Sequence, residues 1–308
     1  MMHTSNGAVI LVPTCKRPAD LTRVLSSFTA KVSRALDGVV VGDNDPDRTY
    51  DIEAIVAQFS PSLPIVYAHE PRQGLASIRN RLIEEGLARF PDSRFFVFVD
   101  DDMAIISDTW LTDLIASANA TGASLVGGPN IMVCGPTSSA WLRFSPLAAP
   151  KTQPDGLCDH LDGTCNLLMR RTLFDTLPRP FFDERFNFVG GEDYDFFLKC
   201  KANGATMAWT NKATTHELRE LTRLSRGYFM ARLWNVGRYQ ALSDRTWLSP
   251  LARAKKFARI SLSAFVKAPV NASAYGLKGA AVKFVYGLSF TGGYVTGYFR
   301  APREMYRR

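Results

Sequence analysis

The chain has 308 residues, 46% hydrophobic and 21% charged, with a formal net charge of +8. That composition excludes a disordered or collagen-like chain and suits one large globular domain or two smaller ones. Five cysteines, Cys15, Cys134, Cys158, Cys165 and Cys200, are scattered without C-x-x-C spacing, which argues against a disulfide framework or a zinc site.

The charge is unevenly placed. From Leu218 onward 17 Lys and Arg stand against 3 Asp and Glu, leaving 20 basic and 26 acidic residues before it. The split predicts a catalytic body over 1–217 and a basic, mainly helical extension over 218–308 that meets an anionic surface, lipid or nucleic acid. The polar start, Met1 to Gly7, has neither the basic lead nor the long apolar body of a secretory signal, so a cytoplasmic protein is expected.

Ala8 to Val12 reads as a strand, followed by the turn Pro13-Thr14-Cys15-Lys16-Arg17-Pro18. Leu21, Val24, Leu25, Phe28 and Val32 then fall on one helical face, with Pro18 suited to the first turn. Gly38 to Val41 is a second strand, closed by Gly42-Asp43-Asn44-Asp45-Pro46. Ile52, Ile55, Val56 and Phe59 mark a helix, and Ile65 to Ala68 a third strand. Gln73-Gly74 opens a helix with Leu75, Ile78 and Leu82 inward and Arg79, Arg81, Glu84 and Glu85 on its exposed side.

Phe95 to Val99 is an apolar run that reads as a strand covered on both faces. It ends in Asp100-Asp101-Asp102. Ser107 is placed to cap a helix carrying Leu111, Leu114, Ile115 and Ala118 and stopping at Gly122. Leu125-Val126 begins a fifth strand, and Gly127 to Asp162 is an irregular excursion. Asn166 to Met169 reads as a strand, Phe181 to Gly191 as a loop, and Glu192-Asp193 as the start of a helix ending at Gly204. Ala205 to Trp209 is a short strand, and Thr215-His216-Glu217 a loop. In the extension, Ser249 caps a helix with Leu251, Ala254, Ala258, Leu262 and Phe265 in one stripe. Phe284 to Phe299 is apolar but short of a span and broken by glycines, so peripheral membrane contact is expected there.

Strict alternation of strand and helix implies a doubly wound, mostly parallel sheet, in which ligands bind outside the carboxyl ends of the strands. Thr14 to Arg17, Asp43 and Asp100 to Asp102 should then face one crevice. Three adjacent carboxylates suit a hard divalent cation, with Asp100 and Asp102 on the same side of an extended backbone. Arg17 and Arg79 add cationic charge, so a nucleotide diphosphate bridged to the acids by Mg2+ or Mn2+ satisfies both sets. Neither G-x-x-x-x-G-K-[ST] nor G-x-G-x-x-G occurs, which weakens a Walker-type or dinucleotide enzyme. Pro13-Thr14 in that place suggests a nucleoside held by other means.

The order of Val12 to Pro18, Val40 to Asn44, Gly74-Leu75-Ala76 with Arg79-Asn80, the acid triplet, Gly163 with Asn166, and Gly191-Glu192-Asp193 resembles family 2 of the glycosyltransferases, which has the GT-A fold. Within that family it is similar to small bacterial enzymes that build exopolysaccharides such as succinoglycan. The resemblance spans Val9 to Glu217 and implies an inverting, metal-dependent sugar transfer, with a UDP-sugar donor and a glycan or polyprenyl-linked acceptor. It implies a nucleoside held by Thr14, Arg17 and Asp43, and a D-x-D motif at Asp100 to Asp102. Asp100 would lie near the ribose and Asp102 on the metal. Asp193, in preference to Glu192, would be the base, and His216 a further metal ligand. Asn44-Asp45-Pro46 departs from the Gly-Ser that many relatives carry after the acid. No Q-x-x-R-W of processive synthases occurs, so one sugar per encounter is expected, at the inner face of an anionic membrane. The alternatives are a nucleotidyltransferase acting on a sugar phosphate, or a non-enzymatic nucleic-acid binder. The acid triplet speaks against nucleic acid as a partner.

Overall fold

The structure, a computed structural model, describes residues 7–32, 35–133, 140–145, 147, 152–218 and 225–306. Cys134, part of the expected excursion, lies outside the described residues, as does the side chain of Phe265. In chain order the elements are β1 (Ala8–Thr14), α1 (Pro18–Lys31), β2 (Leu36–Asp43), α2 (Ile52–Phe59), β3 (Ile65–His69), α3 (Leu75–Arg89) and β4 (Phe95–Val99). There follow β5 (Met103–Ile105), α4 (Trp110–Thr121), β6 (Leu125–Gly127), β7 (Asn130–Met132), α5 (Ala140–Arg143), β8 (Gly156–Cys158), β9 (Asn166–Arg170) and α6 (Leu173–Thr176). The last are α7 (Glu192–Ala202), β10 (Met207–Trp209), β11 (Thr215–Glu217), α8 (Arg226–Trp247), α9 (Pro250–Val266) and α10 (Ala268–Thr296).

An eight-stranded sheet runs β3-β2-β1-β4-β9-β6-β10-β8. β1 to β4 are mutually parallel. β9 inserts antiparallel between β4 and β6, and β8 closes the far edge antiparallel to β10. The doubly wound expectation therefore holds, with a reversal at β9 beside the central strand.

Period-two alternation along β4 explains the two cores. Phe95, Val97 and Val99 join Ile10, Leu25 and Trp110 beneath α1 and α4, whereas Phe96 and Phe98 join Leu11, Leu82 and Phe196 beneath α3 and α7. All five β4 side chains are fully buried, as a central strand requires. Burying one such Phe contributes roughly 1.5–3 kcal/mol.

Several local expectations are corrected. Thr215 to Glu217 is a strand, not a loop: β11 pairs with β5 and β7 in a second, three-stranded sheet. Ser107 does not cap α4, because its hydroxyl accepts from the Thr109 amide inside the preceding turn. Arg79 is buried, not exposed, for reasons given with the site. The Phe284 to Phe299 stretch turns one side onto α8 and leaves Leu288, Val295 and Phe299 exposed on the other. Its Tyr286 and Tyr294 are buried, and Ser289 Oγ donates to the Met230 carbonyl on α8. Small residues permit this: a Cβ on Gly293 would collide with the Trp234 carbonyl and one on Gly237 with that of Phe290, so α10 and α8 meet backbone to backbone. Among the described residues no helix is long and apolar enough to cross a membrane.

The extension is bolted to the body through α7. The Tyr194 hydroxyl donates to Asp244 Oδ1 at 2.6 Å, and Trp247 Nε1 donates to Asp195 Oδ1 at 2.9 Å.

Candidate active site

The parallel register of β1 and β4 pairs Leu11 with Phe98. Continued three residues, it sets Thr14 beside Asp101. The Thr14 hydroxyl accordingly donates to Asp101 Oδ2 at 2.8 Å. Arg17, at the start of α1, donates through Nη1 to Asp101 Oδ1 (3.0 Å) and Asp102 Oδ2 (3.2 Å). A cavity of about 150 Å³ opens over these groups, with Pro13, Asn44, Gly74 and Asp100 also on its wall. Asn44 shapes its rim by accepting from the Gly74 amide (2.7 Å) and donating to the carbonyls of Glu70 and Arg72. The N-terminus of α3 is closed by Asn187, whose Oδ1 accepts from Ala76 and Ser77 amides.

A second cavity, of about 270 Å³, shares Leu75, Arg79, Asp100, Asp102 and Tyr306 with the first and adds Glu192, Asp193 and Glu217. Gly191, with φ +91, turns the chain into α7 and leaves no room for a Cβ against the Tyr239 ring. That turn delivers Glu192 and Asp193 to the cavity. Asp193 Oδ1 accepts from the Tyr194 amide at 2.7 Å, while its Oδ2 lies across from Gly163, within 3.5 Å of the place a Cβ there would take. Arg79 Nη1 donates to Glu192 Oε1 at 2.7 Å and Nη2 to Asp100 Oδ1 at 3.4 Å. Those two partners are why a charged residue on α3 is buried, since an unpaired guanidinium would not be.

Burial dominates the electrostatics, and at Asp102 the repulsion of neighbouring acids adds to it. Asp102 is pushed up to about 7 by burial and by Asp101, Asp100 and Glu217. Asp101 is raised to about 6 by burial, against the pull of Arg17 and Thr14. Burial lifts Glu192 to about 7 despite Arg79. Asp100 and Cys165 are raised for the same first reason. Among the described residues no group of three or more His, Cys, Asp and Glu is arranged to hold one metal ion.

Of the residues singled out in the sequence, Pro13, Thr14, Arg17, Arg79, Asp100, Asp101, Asp102, Glu192 and Asp193 meet around these two connected cavities. Asp43 and His216 do not line them. Asp43 is fully buried and accepts from the Asp45 amide and the Tyr67 hydroxyl, and its neighbour Asn44 reaches the wall. His216 lies off the cavities for a geometric reason: in a strand adjacent side chains point to opposite faces, and Glu217 is the one on the cavity. Reading Thr215 to Glu217 as a strand would have exchanged the two. Tyr228, Arg232 and Tyr306 also line the larger cavity, and nothing in their sequence surroundings marked them.

Comparison with solved structures finds the same architecture in S. aureus TarS. Residues 1–349 of that protein align with a TM-score of 0.55 at 15% identity, covering 94% of this chain and 90% of that one. The same fragment in complex with UDP-GlcNAc aligns at 0.55 and 16% identity, again over 94% and 90%. The likeness is one of fold, and it defines the GT-A class of architecture. The model of glycosyl transferase family 2 matches residues 9–177. The succinoglycan biosynthesis protein ExoM of Rhizobium meliloti (strain 1021) is 32% identical over 236 residues, 73% of this chain and 71% of that one. The chain belongs to glycosyl transferase family 2 and is a glycosyltransferase. Membership decides against a nucleotidyltransferase and against a non-enzymatic protein.

Proposed function

We propose that the protein is an inverting, metal-dependent hexosyltransferase. It moves a sugar from a UDP-sugar to a hydroxyl of a glycan or polyprenyl-linked acceptor in bacterial exopolysaccharide assembly, on the cytoplasmic, anionic face of the membrane. The observation that carries the reading is the convergence of Asp193, from the start of α7, with Asp100 and Asp102, from the end of β4, on one cavity. The name of the succinoglycan relative supports the pathway class, and the UDP-GlcNAc held by TarS supports the donor.

In this reading the smaller cavity takes the nucleoside, against Pro13, Thr14 and Asn44. Arg17 and Arg79 fix the carboxylates around the diphosphate. Asp193 takes the acceptor's proton at its free carboxylate oxygen as the hydroxyl attacks the anomeric carbon from the face opposite the departing diphosphate. Glu192, paired with Arg79, positions the helix start rather than the proton.

Mn2+ or Mg2+ fits the cluster. Raised carboxylates in mutual repulsion are relieved by a hard cation, and the donors are all oxygens. Asp102 and Asp100 would hold the ion, and Mg2+-type sites in nucleotide enzymes use one or two carboxylates with phosphate oxygens and water. When bound, the ion offsets the charge growing on the leaving diphosphate.

Two measurements test the proposal. UDP should raise the melting temperature only when Mn2+ or Mg2+ is present, and NMR of the glycoside formed should show an anomeric configuration opposite to the donor's. Metal-independent UDP stabilisation, or retained configuration, counts against it.

A further inference from the structure

α9 has two faces with opposite surroundings. On the inner face Lys256 Nζ donates to the Tyr194 hydroxyl at 2.6 Å and forms an ion pair with Asp244 at 2.7 Å. Tyr194 follows Asp193 in the chain. On the outer face Leu251 (65% exposed), Leu262 (60%) and Val266 (69%) share one helical sector with the exposed Lys255 and Arg259. Their spacing of four, four, three and four residues keeps them in a single row. α10 continues the surface with Val270 (67%) and Leu277 (83%) beside the exposed Lys267 and Lys278.

Single exposed apolar side chains need no explanation, but an aligned row does. Its charge selects the occupant. From Arg245 to Arg303 inclusive the sequence has ten Lys and Arg and no Asp or Glu. A second copy of the chain would set Lys255 and Arg259 against their own kind in a two-fold pairing. Nucleic acid would answer the cations and leave the aliphatic row in water. An anionic bilayer answers both, since aliphatic side chains enter the headgroup region while Lys and Arg stay at the phosphates.

We propose that the outer face of α9 and the first turns of α10 dock on an anionic lipid bilayer. Through Lys256 and Tyr194 that docking ties the depth of Asp193 beneath the headgroups to the seating of α9. The anionic membrane and the place assigned to Asp193 both rest on the proposed function; the choice of α9 as the contact rests on its exposed row.

Flotation of the intact chain with vesicles tests it. Recovery is expected with phosphatidylcholine vesicles containing phosphatidylglycerol, and not with phosphatidylcholine alone or in high salt. The variant Leu251→Asp/Leu262→Asp/Val266→Asp should bind about tenfold more weakly, with its melting temperature and transfer to a water-soluble acceptor unchanged. Equal flotation of variant and wild type overturns the proposal, as does failure of the wild type to float with phosphatidylglycerol. Retention on DNA without flotation overturns it in favour of nucleic acid. A dimer that the variant abolishes, again without flotation, overturns it in favour of self-association. A chain that floats normally but transfers no sugar leaves the surface standing and removes the proposed reaction.

Discussion

Arg79 and Glu192, 113 residues apart in the chain, form a buried ion pair with Nη1 2.7 Å from Oε1. The other terminal nitrogen of the same guanidinium reaches Asp100. One side chain therefore ties the first acid of the triplet to the helix that carries Asp193. Removing it strands two carboxylates. Arg79→Ala should cost about 3–5 kcal/mol in urea unfolding, with Arg79→Lys recovering part of the loss. A cost below about 1 kcal/mol would show that Glu192 and Asp100 find other partners.

The raised carboxylates make a pH prediction whose sign is fixed. An acid lifted on folding binds its proton more tightly in the folded state. Its stabilising contribution is complete below the unfolded value near ~4 and is lost as pH rises through the folded one. With Asp101 held at about 6 and Asp102 and Glu192 at about 7, the ligand-free protein should lose stability as pH rises from about 4 to about 7. Asp102→Asn should raise the unfolding free energy at the alkaline end by an amount on the order of 2 kcal/mol, while abolishing transfer. Calorimetry across that range, showing no gain for the variant, would contradict the repulsion described.

Glu217 lines the larger cavity and its neighbour His216 does not. Asp102 repels Glu217 across the cavity, and Asn130 Nδ2 steadies Glu217 Oε2 at 2.9 Å. Glu217→Ala should weaken Mn2+-dependent UDP binding at least about tenfold. His216→Ala should change it less than about threefold. Titration calorimetry distinguishes them, and the reverse order would restore the histidine as a ligand.

The contact of α8 with α10 depends on absent side chains. Gly293→Ala should destabilise by about 1–3 kcal/mol through collision with the Trp234 carbonyl. Gly227→Ala, where a Cβ meets nothing within 4 Å, should stabilise by about 0.5–1 kcal/mol. Equal melting temperatures for the two variants would mean that the helices sit farther apart.

Much of this was legible in the sequence because it is written in long, periodic segments. The strand Phe95 to Val99 and its acid triplet marked the sheet's centre and one wall of the cavities, and the helix-start acids Glu192 and Asp193 were singled out by the resemblance to family 2. What was missed depends on distant partners. Arg79 looked exposed because it lies among charged neighbours on its helix, and only Glu192 and Asp100 reverse that. Three-residue strands such as β11 are too short to show a period, which cost the distinction between His216 and Glu217. The stripe on α9 was visible, but its direction is decided by Asp244 and Tyr194, which draw Lys256 inward.

In the proposed reaction Asp193 is the group that takes the acceptor's proton. The direct measurement is kcat/KM for sugar transfer by Asp193→Asn, with UDP-sugar affinity measured on the same sample. A fall of roughly 10²–10⁴-fold with donor binding unchanged is the predicted result; transfer at near wild-type efficiency would contradict it.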